Sequence, residues 1–74
     1  MRFRPGDVVR IENDLGKLDA GDYAVVSAAG AWIRLGRLFE DADGQLIAGG
    51  QVADVAACVL SEYARPLGVE AEVD

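Results

Sequence analysis

From Asp22 to Leu38 the chain reads Asp-Tyr-Ala-Val-Val-Ser-Ala-Ala-Gly-Ala-Trp-Ile-Arg-Leu-Gly-Arg-Leu, two runs of β-formers separated at Ala29-Gly30. Tyr23, Val25, Val26, Trp32 and Ile33 are β-branched or aromatic and suit a pleated, half-buried surface. Gly30 supplies the positive φ that a tight reversal needs. The pattern predicts a β-hairpin around which the rest of the chain packs. In its second strand, alternation puts Ile33 and Leu35 on one face, the core side, and Trp32, Arg34 and Gly36 on the other, the wet side. Two strands alone are marginal, so a further strand or a helix has to cover Ile33 and Leu35.

The flanking segments supply candidates. Met1 to Arg4 reads as a short extended arm and Pro5-Gly6 as a turn. Asp7 to Glu12 is a predicted strand, with Val9 and Ile11 on one face and Val8 and Arg10 on the other. Asn13 to Gly21 has the composition of a polar loop, with Leu15 and Leu18 tucked beneath it. Glu40 to Gly44 is a second turn and Gln45 to Ala48 a returning strand. Gly49-Gly50 breaks the pattern, and beyond it Val52, Val55, Ala56, Val59, Leu60 and Tyr63 fall on one stripe of a helix. A helix over Gln51–Ala64 is therefore predicted, with Asp54 in its first turn, Arg65 just past its last, and Pro66 and Gly68 ending it. Its rival is a strand, in which Val55, Ala57 and Val59 alternate. Residues 66–74 close the chain: Val69, Ala71 and Val73 alternate with Glu70, Glu72 and Asp74, either as an edge strand guarded by carboxylates or as an acidic tail.

The block Arg4-Pro5-Gly6-Asp7-Val8-Val9-Arg10-Ile11 resembles the opening strand of SH3-like barrels, including KOW-type modules, and that of MazF/PemK-type toxins. The resemblance covers about ten of the 74 residues and implies a small barrel. A KOW-type module implies nucleic-acid binding and the toxins a ribonuclease. The chain departs from both. It has no Arg-Pro-Val-Val stretch after the loop, and it is acidic where RNA-binding modules of the KOW type are usually basic. No catalytic residue is carried over. The expected architecture is mainly β (α+β): an SH3-like barrel or curled antiparallel sheet of four to five strands plus one C-terminal helix, in a single domain spanning residues 1–74.

Composition narrows the chemistry. The chain contains no histidine, which removes most zinc sites and every Ser-His or Cys-His nucleophile. Cys58 is the single cysteine; it has no internal disulfide partner, and it reads as a small semi-buried filler. Asp41-Ala42-Asp43-Gly44 echoes the start of a calcium loop, but Gln45 and Val52 stand at its fifth and twelfth positions, where ligands belong. No cofactor, metal or small-molecule substrate is implied. No apolar run approaches a signal or membrane segment, so the expected location is cytoplasmic.

The net charge is −6, and it is unevenly spread: residues 1–37 hold six basic and five acidic side chains, residues 38–74 one and eight. Nucleic acid is repelled at long range, although the front half does not repel it. Much of the hydrophobic content is Ala and Val. The large core formers are few: Phe3, Ile11, Tyr23, Ile33, Leu35, Leu46, Leu60 and Tyr63. A thin core at the lower size limit for independent folding favours a homodimer or a bound protein partner.

One surface cluster has a positive reading. Trp32 and Arg34 share a strand face, joined by Arg10 from a neighbouring strand and by Arg37. Exposed Trp beside Arg is the composition of an interaction hot spot or of a base-stacking platform; alternatively, the helix or a dimer mate covers Trp32. The expected function is a non-enzymatic, self-associating protein-interaction module, in keeping with an accessory protein of a phage or other mobile element. The alternatives are a nucleic-acid-binding barrel, and a ribonuclease whose cleft unites arginines with a carboxylate or Ser27.

Overall fold

The computed structural model describes residues 2–73; Met1 and Asp74, the ends of the predicted arm and closing segment, lie outside them. The elements run β1 (Asp7–Ile11), β2 (Gly21–Ala29), β3 (Trp32–Glu40), β4 (Leu46–Ala56), α1 (Ala57–Tyr63) and β5 (Ala64–Glu70). The five strands form one antiparallel sheet in the order β4-β3-β2-β1-β5. The chain is thus mainly β with one short helix.

The β2–β3 hairpin forms where the pattern places it. Gly30 takes φ 60° at the reversal, and Ala29 faces Trp32 across it. Ile33 and Leu35 point into the main core with Phe3, Val9, Ile11, Leu18, Val25 and Leu60. The first loop is drawn over this core by a tight turn in which Leu15 and Leu18 exchange two backbone hydrogen bonds, both 2.9 Å. Leu18 is buried, Leu15 partly so. Between β3 and β4, Asp41 Oδ1 accepts from the amides of Asp43 (3.0 Å) and Gln45 (2.8 Å). That carboxylate holds a turn.

A second, smaller core forms on the opposite face from Val8, Ala24 and Ala71. Val8 and Val9 are both buried although they point to opposite sides of β1. The segment after β5 makes this possible by folding back over the sheet: the Ala71 amide donates to Gly6 O at 2.7 Å, Glu72 donates to Leu46 O at 2.8 Å and Ala48 donates to Glu72 O at 2.8 Å. The edge strands β4 and β5 do not pair directly, and the sheet is not closed.

The C-terminal half departs from the predicted helix over Gln51–Ala64. Residues 51–56 continue β4, with Gln51, Ala53, Asp54, Val55 and Ala56 opposite Gly36, Leu35, Arg34, Ile33 and Trp32. The register shifts twice, between Leu35 and Gly36 and between Gly36 and Leu38, each time adding one residue to β4. These bulges lie near Gly49-Gly50 and at Val52, so the glycines bend the strand rather than end it. Each bulge breaks the two-residue alternation, and the apolar residues take on a helix-like spacing. What remains of the helix is seven residues with Leu60 as its buried member. Tyr63, expected in the core, is 54% exposed, and Cys58 is exposed rather than semi-buried. Pro66 lies within β5, where an edge strand tolerates the missing N–H.

Candidate interaction surface

β3 presents Trp32 and Arg34 on its outer side. Trp32 is 59% exposed and stands between Ala29 of β2 and Ala56 of β4. Small neighbours on both sides leave the indole faces open. Next along, Arg34 lies between Ser27 and Asp54, and its Nε donates to Asp54 Oδ1 at 3.2 Å. Gln51 Nε2 donates to the same oxygen at 3.3 Å. An exposed ion pair of this kind adds little stability, but it does hold the guanidinium beside the indole.

Ser27, Arg34 and Asp54 thus form a row across three strands. The row lies on open sheet with Arg34 and Asp54 about half exposed; it is not the cleft that a ribonuclease reading calls for. Among the described residues, no group of three or more Cys, Asp or Glu side chains could hold a metal ion, and no helix is long and apolar enough to cross a membrane.

Arg10 and Arg37 do not join Trp32 and Arg34. β2 separates β1 from β3, and Arg10 pairs with Asp22, one residue before the Tyr23 that faces Arg37. That register places Arg10 about 13 Å along the strands and about 10 Å across them from Arg34. There its Nε and Nη2 hold Asp22 in a two-pronged ion pair at 2.8 and 3.1 Å. The hydrogen bond from Arg10 keeps the Asp22 carboxyl below the usual carboxylate range and raises the guanidinium in turn. Arg37 faces Tyr23, which faces Val9 of the main core, so it emerges on the other side of the sheet from Trp32.

Asp54, as the carboxylate that completes the Trp32 surface, is missed by a helical reading of residues 51–64; only the β3–β4 register reveals it. A cavity of about 390 Å³ lies on the inner side of the hairpin tip, lined by Arg2, Phe3, Ala28, Gly30, Ile33 and Ala57. Trp32 is not part of it. Comparison with models of protein families, with curated proteins and with solved structures finds no match for this chain.

Proposed function

We propose that this chain is a small SH3-like interaction module without enzymatic activity, and that it pairs with a second copy through the Trp32 face. The order β4-β3-β2-β1-β5, with a short helix between β4 and β5, supports the SH3-like reading. The observation that carries the function is the exposed Trp32: a domain of 74 residues with a thin core leaves its one tryptophan largely in water. A large aromatic beside an arginine is the usual content of an interface hot spot.

A second copy is the partner this surface fits best. A two-fold interface must be complementary to itself. The Trp32 face carries one cation and one anion, Arg34 and Asp54, so two copies can dock indole to indole with each Arg34 near its partner's carboxylate. The patch is neutral in a chain whose net charge is −6, so two copies can meet there without like-charge repulsion. Nucleic acid is a poorer partner, because the chain is acidic overall and Arg34, the cation of this face, is paired with Asp54.

The test is light scattering or sedimentation together with Trp32 fluorescence. The wild type is expected to be dimeric with blue-shifted emission. Trp32→Ala should weaken the dimer about 30-fold, the scale of a hot-spot aromatic, with the thermal midpoint of the monomer little changed. Arg34→Asp or Asp54→Arg should weaken it and the double reversal restore it. A wild type that is monomeric at millimolar concentration, with red-shifted and quenchable Trp32, would overturn self-association. Salt-sensitive binding of an oligonucleotide would put the nucleic-acid reading in its place.

A further inference from the structure

On the other side of the sheet from Trp32, beside the loop joining β1 to β2, the fold builds a polar cavity of about 420 Å³. Leu18 and Val52 give it apolar walls, and Lys17, Asp19, Tyr23, Arg37 and Gln51 its polar ones. Lys17 and Arg37 are brought together by two unrelated features: the Leu15–Leu18 turn carries Lys17, and the β2–β3 register sets Arg37 opposite Tyr23. Neither cation makes an ion pair among the described residues, whereas Arg10, Arg34 and Arg65 all do. Arg2 and Arg4 also lie outside these ion pairs; what distinguishes Lys17 and Arg37 is that they line one cavity together, against the single carboxylate of Asp19.

The remaining polar groups are arranged around this pair. Tyr23 Oη donates to the Asp19 carbonyl at 2.6 Å. That bond fixes the loop against β2 and commits the phenolic proton, so the Tyr23 oxygen does not compete as a donor. Gln51 has turned one N–H toward Asp54 and keeps the other. Asp19 adds one negative charge. Burial raises the Tyr23 phenol above its ordinary value; the nearby Asp19 adds to this and Arg37 opposes it.

We propose that this cavity binds a compact oxyanion, a phosphate or a carboxylate, between Lys17 and Arg37. Two cations supplied by separate elements suit an anion that bridges them, and the Arg37 fork matches the planar or tetrahedral oxygens of such a group. The acidic balance of the whole chain disfavours a polyanion, which would have to run across repelling surface; one small anion avoids that. Asp19 sets the affinity low, since its charge opposes the ligand at short range. Its two cations lie off the Trp32 surface, although Gln51 lines the cavity and also donates to Asp54.

The test is a 15N–1H correlation titration with inorganic phosphate, compared with sodium chloride at matched ionic strength, and a parallel arm with acetate. The expected result is a saturable shift of the Lys17, Tyr23 and Arg37 signals with phosphate beyond that with chloride. The acetate arm distinguishes the two classes of anion: a saturable shift there extends the site to carboxylates, and its absence restricts it to phosphate. Lys17→Gln/Arg37→Gln should weaken binding tenfold or more while the thermal midpoint in chloride stays close to wild type. Asp19→Asn should tighten binding several-fold, an effect that a merely structural role for Asp19 would not produce. Shifts no larger than those with chloride, shifts that survive the double variant, or an Asp19→Asn protein with unchanged affinity would each overturn the proposal.

Discussion

Gly36 gives the sharpest test of the packing. It is buried at the centre of β3, opposite Ala24 on one side and Gln51 on the other. A methyl group there would sit 2.6 Å from Val26 Cγ2, 2.9 Å from the Gly49 carbonyl oxygen and 3.4 Å from that of Gly50. Comfortable carbon contacts begin near 3.5 Å. Two of these neighbours cannot easily give way. Val26 is β-branched and lies at the β2 bulge between Val25 and Ser27, where its χ1 is restricted. Gly49 O belongs to the bulged backbone of β4, and moving it disturbs the longest strand pairing in the sheet. Gly36→Ala should therefore cost about 2 kcal/mol, in the range of overpacking, even after the small gain from a stiffer unfolded chain. For a domain of this size that lowers the thermal midpoint by about 8–16 °C. Gly50→Ala is the control, because its added methyl meets nothing within 4 Å and should fall within about 0.5 kcal/mol of wild type. Thermal and urea unfolding followed by circular dichroism measure both. Val26→Ala/Gly36→Ala removes the methyl clash but leaves the carbonyl contact, so the double mutant should be more stable than the two single losses predict, by about 1 kcal/mol. A Gly36→Ala protein as stable as Gly50→Ala, or strictly additive losses, would refute the reasoning.

Two further outcomes follow from other parts of the fold. Leu60→Ala should cost about 2–5 kcal/mol, because Leu60 is 0% exposed and is the one buried residue of a helix too short to persist alone; a fall in the urea midpoint of less than 1 kcal/mol equivalent, at constant slope, would contradict this. The Asp22 carboxyl is held low by Arg10, so its contribution is complete above about pH 5, where the unfolded group is also ionised, and disappears as pH falls through the lower folded value. The stability gap between wild type and Asp22→Asn should therefore be level at neutral pH and shrink as the pH falls below the ordinary carboxylate value of about 3.9, and a gap that does not shrink on acidification would show that the pair stabilises by something other than charge.

What the sequence reveals of this fold depends on whether the alternation of side chains is interrupted. β3 shows Ile33 and Leu35 inward and Trp32 and Arg34 outward, and both the hairpin and the Trp32 surface can be read from it, although Gly36, expected on the wet side, is buried. In β4 the two bulges shift the phase twice within 11 residues. There Val52, Val55 and Ala56 fall into helical spacing with Val59 and Leu60, although only Leu60 is both helical and buried. Pro66 and Gly68 look like helix stops for a related reason: an edge strand with an irregular register accepts both. The polar site was illegible for a different reason. Lys17 and Arg37 lie on separate elements, and nothing local in either segment indicates that a strand register joins them. The separation of Arg10 from Arg34 likewise follows from strand order, which alternation within a single strand does not encode.

The pairing of β1 with β5, and the hold of Glu72 on Leu46 and Ala48, have a consequence for how the chain folds. β1 depends on β5, far along the chain, before one of its edges is satisfied, and Val8 stays uncovered until Ala71 is in place. A sheet completed by such distant contacts is expected to fold on the slower millisecond-to-second scale, with the unpaired edge of β1 exposed to other unfolded copies until β5 docks.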